Sequence, residues 1–139
     1  MSASPRPPLI VLGCGFTGSA AARLALDQGR RVIGTVRHAD EPGRNVPPAV
    51  ELRVASTLTP DLMDAVMPPD AEVLVTFPPD GATDARIAPC LGRARSIAYI
   101  STTGVYGDHR GRVDEETPVD VSSPRAALRL DAERAWRAA

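Results

Sequence analysis

A glycine cluster directly after a short apolar run constrains the fold of this chain more than any other feature. The aliphatic run Leu9–Leu12 leads into G-C-G-F-T-G at positions 13–18, and an alanine-rich stretch follows at positions 19–28. An aliphatic run without polar alternation predicts a strand that is buried on both faces of a sheet. A strand that turns through Gly-x-Gly-x-x-Gly into a helix is typical of a β-α-β unit that binds a dinucleotide.

Each glycine of this cluster has its own predicted role. Gly13 makes the tight turn, Gly15 lets the backbone approach a pyrophosphate, and Gly18 lets the helix and the strand pack closely. Bare backbone N–H groups at the start of the helix then hold the anion, and we count Phe16 and Thr17 among the cofactor-binding residues. The alternative is a strand-to-helix turn whose glycines serve packing alone.

Short apolar segments alternate with helical segments along the rest of the chain. The predicted strands are Leu9–Leu12, Arg31–Val36, Val50–Val54, Glu72–Thr76 and Ile97–Ser101. The predicted helices are Thr17–Gln28 with Ala21, Leu24, Ala25 and Gln28 on one side, Pro60–Met67 after the N-cap Thr59, Asp84–Arg95 with interruptions around Pro89 and Gly92, and Pro124–Ala138. Such alternation implies parallel strands with right-handed crossovers. The sequence therefore predicts an α/β fold, a doubly wound, Rossmann-like parallel sheet of about five strands in the order 3-2-1-4-5.

The predicted domain organisation is a disordered lead-in over residues 1–8 and one NAD(P)-binding domain over residues 9–139. The sequence stops inside a helix, whereas a complete dinucleotide-binding fold has a sixth strand. We therefore expect an N-terminal part of a longer protein, incomplete at its C-terminus, with a substrate domain outside this chain. An unpaired sheet edge at that place favours a homodimer.

Composition excludes several classes of partner. The formal net charge of −1 gives no bulk attraction to nucleic acid or to an anionic membrane, and no apolar run has the length of a membrane span. The start of the chain lacks a secretory apolar core, so a cytoplasmic location is expected. The cysteines and histidines have no metal-ligand spacing, and no metal site is predicted. All 16 basic residues are arginine, so a lysine Schiff base is excluded.

The end of the second strand indicates which dinucleotide is bound. An NAD site carries Asp or Glu there, whereas an NADP site carries Arg. Here Thr35 and Arg37 take that place, and the first acid, Asp40, comes later. Arg37 would pair with a 2′-phosphate through a charge-assisted contact, unless it is an ordinary solvated loop arginine. We predict NADP(H) as the cofactor, with NAD(H) as the alternative.

A second motif follows the fifth strand. It comprises S-T at positions 101–102, V-Y-G at 105–107, E-T-P at 116–118 and a helix from Pro124. Together with the glycine loop, this order resembles the extended short-chain dehydrogenase/reductase superfamily, the NAD(P)-dependent epimerase/dehydratases of nucleotide sugars. The resemblance covers nearly the whole chain and corresponds to the cofactor-binding half of that family.

The resemblance implies hydride transfer between the cofactor and a nucleotide sugar or a similar hydroxyl compound. Thr102 falls where the family keeps its catalytic Ser/Thr, which hydrogen-bonds a substrate oxygen. The family's adenine-contacting Asp is replaced by Ser56 or Thr57. The remaining cofactor-binding candidates follow the fourth and fifth strands and are Thr76, Phe77, Pro78 and Ser101.

The chain departs from the family at the Tyr-x-x-x-Lys pair. Pro124, Leu130 and Glu133 fix the register, so Arg125 replaces the tyrosine and Arg129 replaces the lysine. A guanidinium stays protonated, and Arg125 therefore cannot shuttle the proton that the tyrosine shuttles. Arg129 would still bond the nicotinamide ribose, as the lysine does.

Two functions remain open at this point. The first is an NAD(P)-dependent oxidoreductase of the epimerase/dehydratase type, with Tyr106 or, less favoured, His109 as a replacement acid. The second is a non-catalytic NADP(H)-binding sensor or regulatory module that kept the cofactor site and lost the chemistry.

Overall fold

The structure, a computed structural model, describes residues 4–40 and 45–139. The strands are β1 Leu9–Leu12, β2 Val32–Val36, β3 Glu51–Val54, β4 Glu72–Val75 and β5 Ser96–Tyr99. The helices are α1 Phe16–Asp27, α2 Pro60–Val66, α3 Thr83–Ile87 and α4 Pro124–Arg137, with 3₁₀ turns at Ala88–Leu91 and Thr103–Tyr106. None of the helices within the described ranges has the length and apolar character of a membrane span.

The five strands form one parallel sheet in the order β3-β2-β1-β4-β5, which confirms the predicted topology. Leu12 pairs with Thr35 on one side and with Val75 on the other, so β1, β2 and β4 end at the same edge. The chain leaves β1 toward β2 and later returns to β4 on the opposite side of β1. The carboxyl ends of β1 and β4 thus border a topological switch point, where open α/β sheets bind ligands.

The residues of β1 alternate between two apolar layers. Leu9 and Val11 pack in the layer that α1 covers, whereas Ile10 and Leu12 pack in the layer that α2, α3 and α4 cover. Trp136, near the end of α4, is 5% exposed and belongs to this second layer. Because β1 is buried on both faces, its sequence is an uninterrupted aliphatic run.

The buried face of α1 differs from the prediction. The buried residues of this helix are Gly18, Ser19, Ala22 and Ala25. Leu24 is 66% exposed, and of the predicted face only Ala25 is buried. The side formed by Ala21, Leu24, Ala25 and Gln28 is therefore not the one that faces the sheet, because close contact between α1 and the sheet selects the smallest residues.

Several boundaries also differ from the predictions. The helix predicted over Asp84–Arg95 is α3, which ends at Ile87, and Pro89 then lies within a 3₁₀ turn. Proline has no N–H to continue the α-helical pattern. The fifth strand ends at Tyr99, so Ser101 lies beyond it.

Two residues before Leu9 also contact the domain. The carbonyls of Pro7 and Pro8 accept hydrogen bonds from Arg30 Nε and from the Glu72 amide, each at 2.9 Å. Both prolines belong to the predicted lead-in, of which residues 1–3 lie outside the described residues.

Candidate functional site

A cleft of about 420 Å³ opens at the carboxyl ends of β1, β2, β3 and β4. Its lining comprises Gly13, Cys14, Gly15, Thr35, Val36, Arg37, Ala55, Ser56, Thr57, Leu58, Thr76, Phe77, Pro78, Pro79, Asp80, Thr83 and Arg86. These residues come from the end of β2, from the loops that follow four strands and from α3. Parallel strands end at one edge of a sheet, which is why segments distant in sequence meet here.

The three glycines of the loop meet different surroundings. Gly13 has φ of +94°, and a Cβ on it would lie 2.9 Å from the Phe77 amide nitrogen. A Cβ on Gly18 would lie 2.6 Å from the Gly13 carbonyl oxygen. Nothing lies within 4 Å of a Cβ built on Gly15, which borders the cleft. The fold therefore requires glycine at positions 13 and 18, whereas at position 15 the absent side chain leaves open space for a ligand.

The backbone amides of the loop are largely used inside the protein. The Gly13 amide donates to Thr35 Oγ1 at 3.1 Å, and the Cys14 amide donates to the Thr35 carbonyl at 2.7 Å. The Gly15 amide lies 2.8 Å from the Gly13 carbonyl oxygen. The amides of Gly13, Cys14 and Gly15 therefore serve the turn itself, and the bare N–H groups expected for an anion must lie further along, at the start of the helix.

The first turn of α1 differs from the loop, because its N–H groups are not consumed by the turn. Gly15 is the N-cap of this 12-residue helix, and no side chain caps it. The first N–H groups of an α-helix have no intrahelical acceptor and carry the positive end of the helix dipole. The N–H groups of Phe16 and Thr17 thus remain for an anion. The two side chains do not line the cleft, and the Phe16 ring is 96% exposed.

Thr76 lines the cleft but bonds to the protein. Its hydroxyl lies 3.1 Å from the Leu12 carbonyl oxygen and makes a second, shorter contact with the Gly13 carbonyl oxygen. The side chain fastens the end of β4 to the glycine loop. Thr76 therefore shapes the turn, and Phe77 and Pro78 beside it form the cleft wall.

Charge in the cleft favours an anion. Arg37 and Arg86 line it, and Arg37 is exposed and has no hydrogen-bond or ion-pair partner among residues 4–40 and 45–139. Asp80 is the acidic residue of the lining, and its oxygens accept from the amides of Ala82 and Thr83 and from the Thr83 hydroxyl at 2.6–2.9 Å. These bonds, the one from the Thr83 hydroxyl foremost, lower the pKa of Asp80 to about 2. The carboxylate is therefore engaged in starting α3.

The predicted catalytic residues and the cofactor-binding candidate Ser101 lie apart from this cleft lining. Ser101 Oγ donates to Glu133 Oε1 at 2.5 Å. Thr102 Oγ1 accepts from the Gly104 amide at 3.2 Å and starts the 3₁₀ turn that Tyr106 ends. Thr102 is exposed and Tyr106 is half-buried. The structure thus does not bring these side chains together with the cleft lining.

Arg129, at the family's lysine position, is held by β5. Its Nη1 donates to the Tyr99 hydroxyl at 2.9 Å and to the Ile100 carbonyl at 3.3 Å, and its guanidinium carbon lies 5.7 Å from the Tyr99 ring centroid. Burial raises the pKa of Tyr99 above 10.0, although the bond from Arg129 opposes this shift. Tyr99 is consequently a neutral phenol near pH 7. Arg125, at the family's tyrosine position, is exposed on α4.

Asp84 joins α3 to α4 and was not identified from the sequence. Trp136 Nε1 donates to Asp84 Oδ1 at 2.6 Å, and Asp84 is 4% exposed. Its Oδ2 is buried without a hydrogen-bond partner in the described part of the chain. Burial raises the pKa of this carboxyl, because the charged form loses its hydration.

Solved structures of similar fold were found, although no protein-family model and no curated protein matches the sequence. A conserved protein of unknown function from Silicibacter pomeroyi is 33% identical, with a TM-score of 0.73, over 96% of this chain and 49% of that protein. A putative epimerase from Burkholderia cenocepacia is 25% identical, with a TM-score of 0.76, over 96% of this chain and 50% of that protein. A UDP-glucuronic acid 4-epimerase from Bacillus cereus, in complex with NAD and a fluorinated UDP-sugar, is 17% identical, with a TM-score of 0.73, over 94% and 51%.

The chain shares its fold with NAD-dependent epimerases. This confirms, at the level of the fold, the resemblance to the extended short-chain dehydrogenase/reductase superfamily and its epimerase/dehydratases. The chain spans about half the length of the solved structures it matches.

Proposed function

We propose that this chain is the cofactor-binding part of an NAD(P)-dependent oxidoreductase of the epimerase/dehydratase type, and that it prefers NADP(H). The observation that carries the proposal is the uncapped start of α1 beside an open glycine at a topological switch point. An arginine without a protein partner among the described residues borders the same cleft. Backbone donors, a helix dipole and free positive charge together suit a phosphorylated dinucleotide.

The residues present fit this cofactor. The N–H groups of Phe16 and Thr17 would hold the pyrophosphate, and Gly15 leaves the space that its approach requires. Arg37, at the end of β2, would pair with the 2′-phosphate that distinguishes NADP from NAD. The NAD in the complex of the Bacillus cereus epimerase belongs to that protein, and the preference for NADP(H) rests here on Arg37.

The chemistry would come from the nicotinamide ring, which exchanges a hydride with a substrate carbon. Thr102 accepts one hydrogen bond, from the Gly104 amide, and its exposed hydroxyl keeps a proton to donate to a substrate oxygen. We extend the proposal to a nucleotide sugar or a similar hydroxyl compound as substrate, to a cytoplasmic location and to a homodimer through the free edge of β5. The bound UDP-sugar of the Bacillus cereus epimerase supports the substrate class by analogy.

A second candidate function is a non-catalytic NADP(H)-binding module. The bonds of Arg129 to Tyr99 and Ile100 favour it, because they hold the guanidinium on β5. A guanidinium at position 125 cannot serve as the general acid or base that a tyrosine is in the family. Under this alternative the chain binds the dinucleotide and turns over no sugar.

The test of dinucleotide binding is a fluorescence titration of this chain with NADPH and with NADH. We expect tighter binding of NADPH, and we expect Arg37→Ala to weaken NADPH by about thirty-fold, since a hydrogen bond to a charged group contributes roughly 2 kcal/mol. NADH binding should change by less than about two-fold, because NADH has no 2′-phosphate.

The matched control is Arg53→Ala, which removes an exposed arginine of β3 outside the cleft lining. Equal losses of NADPH and NADH binding in Arg37→Ala would contradict the 2′-phosphate role, and no binding of either by the unmodified chain would overturn the cofactor proposal. Assays of the full-length gene product on a panel of UDP-sugars then separate the two functions, because only the oxidoreductase converts a sugar.

A further inference from the structure

A second arginine of the cleft lining has no part in the proposed function so far. Arg86 belongs to α3, which follows β4, and its Nη1 donates to the Leu58 carbonyl at 3.1 Å. Leu58 lies in the loop after β3, and both residues line the cleft. The side chain therefore spans from one loop to another and is tethered at its tip, whereas most exposed arginine side chains are free to rotate.

Arg86 differs from those arginines of the described residues that pair with a carboxylate. Arg31 and Arg93 bond to Glu51 and Asp64, so their charges are compensated by carboxylates. Arg86 bonds to a neutral carbonyl and to no carboxylate in the described ranges. The bond to the Leu58 carbonyl consequently holds the guanidinium in place. No carboxylate of the described residues neutralises its charge, and its planar faces remain for a ligand.

The order of the strands indicates which part of a dinucleotide reaches Arg86. The pyrophosphate belongs at the start of α1, after β1, and the adenosine ribose belongs beside Arg37, after β2. The next strand outward is β3, and its loop carries Ser56, Thr57 and Leu58. The base attached to that ribose therefore lies toward this loop, where Arg86 and Leu58 meet.

We infer that Arg86 and Leu58 form the adenine subsite of this cleft, with the guanidinium plane stacked on the base. The inference rests on the proposed dinucleotide function and adds a residue that recognises the base. Arginine is suited to this contact because its guanidinium is planar and weakly hydrated, and it stacks on aromatic faces. Ser56 and Thr57 replace the adenine-contacting carboxylate, so stacking on Arg86 supplies binding that a carboxylate supplies elsewhere.

The test compares Arg86→Ala and Arg86→Lys in titrations with NADPH and NADH. Both variants should weaken both dinucleotides by about ten-fold and by the same factor, because both dinucleotides carry the same base. Lysine keeps the charge and a donor for the Leu58 carbonyl, but it lacks the plane. The control is Arg93→Ala, which removes an exposed arginine outside the cleft lining and should bind as the unmodified chain does.

Three outcomes would overturn the adenine subsite. If Arg86→Lys binds both dinucleotides as tightly as the unmodified chain does, the charge alone matters and not the plane. If only NADPH binding is weakened, Arg86 contacts the 2′-phosphate. Unchanged binding by Arg86→Ala would remove it from the site. If Arg86→Ala fails to fold, as judged by thermal unfolding, the lysine variant decides the question. If the unmodified chain binds neither dinucleotide, both the proposed function and the inference are wrong. If it binds them and the Arg86 variants bind equally well, only the inference is wrong.

Discussion

The cleft and the β5–α4 region use their polar groups in opposite ways. In the cleft, the first turn of α1 has no side-chain cap, Gly15 faces open space, and Arg37 has no partner among the described residues. In the β5–α4 region, Ser101 bonds to Glu133 and Arg129 bonds to Tyr99. These groups of the cleft are open to a ligand, whereas those of the β5–α4 region are satisfied within the protein.

This difference teaches what the chain can do without rearrangement. A group already bonded to the protein has to give up that bond before it serves a ligand, at a cost of about 1 kcal/mol each. The cleft requires no such exchange. In the β5–α4 region, Arg129 would have to give up its bond to Tyr99, and Ser101 its bond to Glu133, before either side chain contacts a cofactor. The geometry therefore supports dinucleotide binding more strongly than sugar chemistry.

The largest expected effect is on the fold beneath the cleft. Gly18→Ala should lower the free energy of unfolding by about 3 kcal/mol, because its Cβ would lie 2.6 Å from the Gly13 carbonyl oxygen and backbone cannot give way as a side chain can. Chemical denaturation followed by circular dichroism measures this change. Gly92→Ala is the control, since its Cβ meets nothing within 4 Å at a φ of −60°. Equal stabilities of the two variants would contradict the close packing of α1 on β1.

The second prediction tests whether Gly15, in the same loop, makes room for a ligand or serves the packing of the fold. Gly15→Ala should leave the free energy of unfolding nearly unchanged, because its Cβ has no neighbour within 4 Å. NADPH binding should weaken by about twenty-fold, since the methyl group would occupy the space that the pyrophosphate requires. Fluorescence titration and denaturation of one preparation measure both quantities. A destabilised variant, or one that binds as before, would show that Gly15 serves the turn instead.

The fold followed from the sequence because strand and helix signals are local. The aliphatic β1, the glycine loop and the Thr59-Pro60 helix start each carry their signal within a few residues. The buried face of α1 did not follow, because Leu24 is exposed and Gly18 is buried for reasons of distance to the sheet.

Site residues that depend on tertiary contacts were missed for the same reason. Arg86 lies in the cleft only because α3 packs beside the loop of Leu58, 28 positions away in sequence. The partnership of Asp84 with Trp136 spans 52 positions. Asp80 was missed as well, although its bonds to Ala82 and Thr83 lie within three positions of it in sequence.

The third prediction compares two carboxyl groups. Asp80 precedes α3 and lines the cleft, whereas Asp84 lies in α3 and contacts Trp136 of α4. Asp80 has a folded pKa of about 2, below its ordinary 3.8, so its stabilisation is present above pH 3.8 and is lost as the pH falls toward 2. Asp84 has a raised folded pKa, so its stabilisation is present below pH 3.8 and is lost as the pH rises through the folded pKa. Asp80→Asn should therefore lower the free energy of unfolding by about 1 kcal/mol near pH 7, because a neutral amide accepts weaker hydrogen bonds than a carboxylate, and by much less near pH 2.

The matching variant is Asp84→Asn, which is isosteric with the neutral acid. Its stability relative to the unmodified chain should rise as the pH increases from 3 to 7, opposite in sign to Asp80→Asn. Denaturation at several pH values measures both trends. Parallel trends in the two variants would mean that burial against Trp136 does not control Asp84.

The smallest expected effect tests whether the β5–α4 region takes any part in binding. Tyr99→Phe removes the hydroxyl that Arg129 donates to at 2.9 Å and leaves the bond to the Ile100 carbonyl in place. The free energy of unfolding should fall by only about 0.5 kcal/mol, since this hydrogen bond is partly exposed. NADPH binding should not change, because neither side chain lines the cleft. Weaker binding would indicate that Tyr99 orders the cleft from a distance, and tighter binding would indicate that the freed Arg129 turns toward the nicotinamide ribose. Either result would contradict the distinction between the cleft, whose groups are open to a ligand, and the β5–α4 region, whose groups bond within the protein.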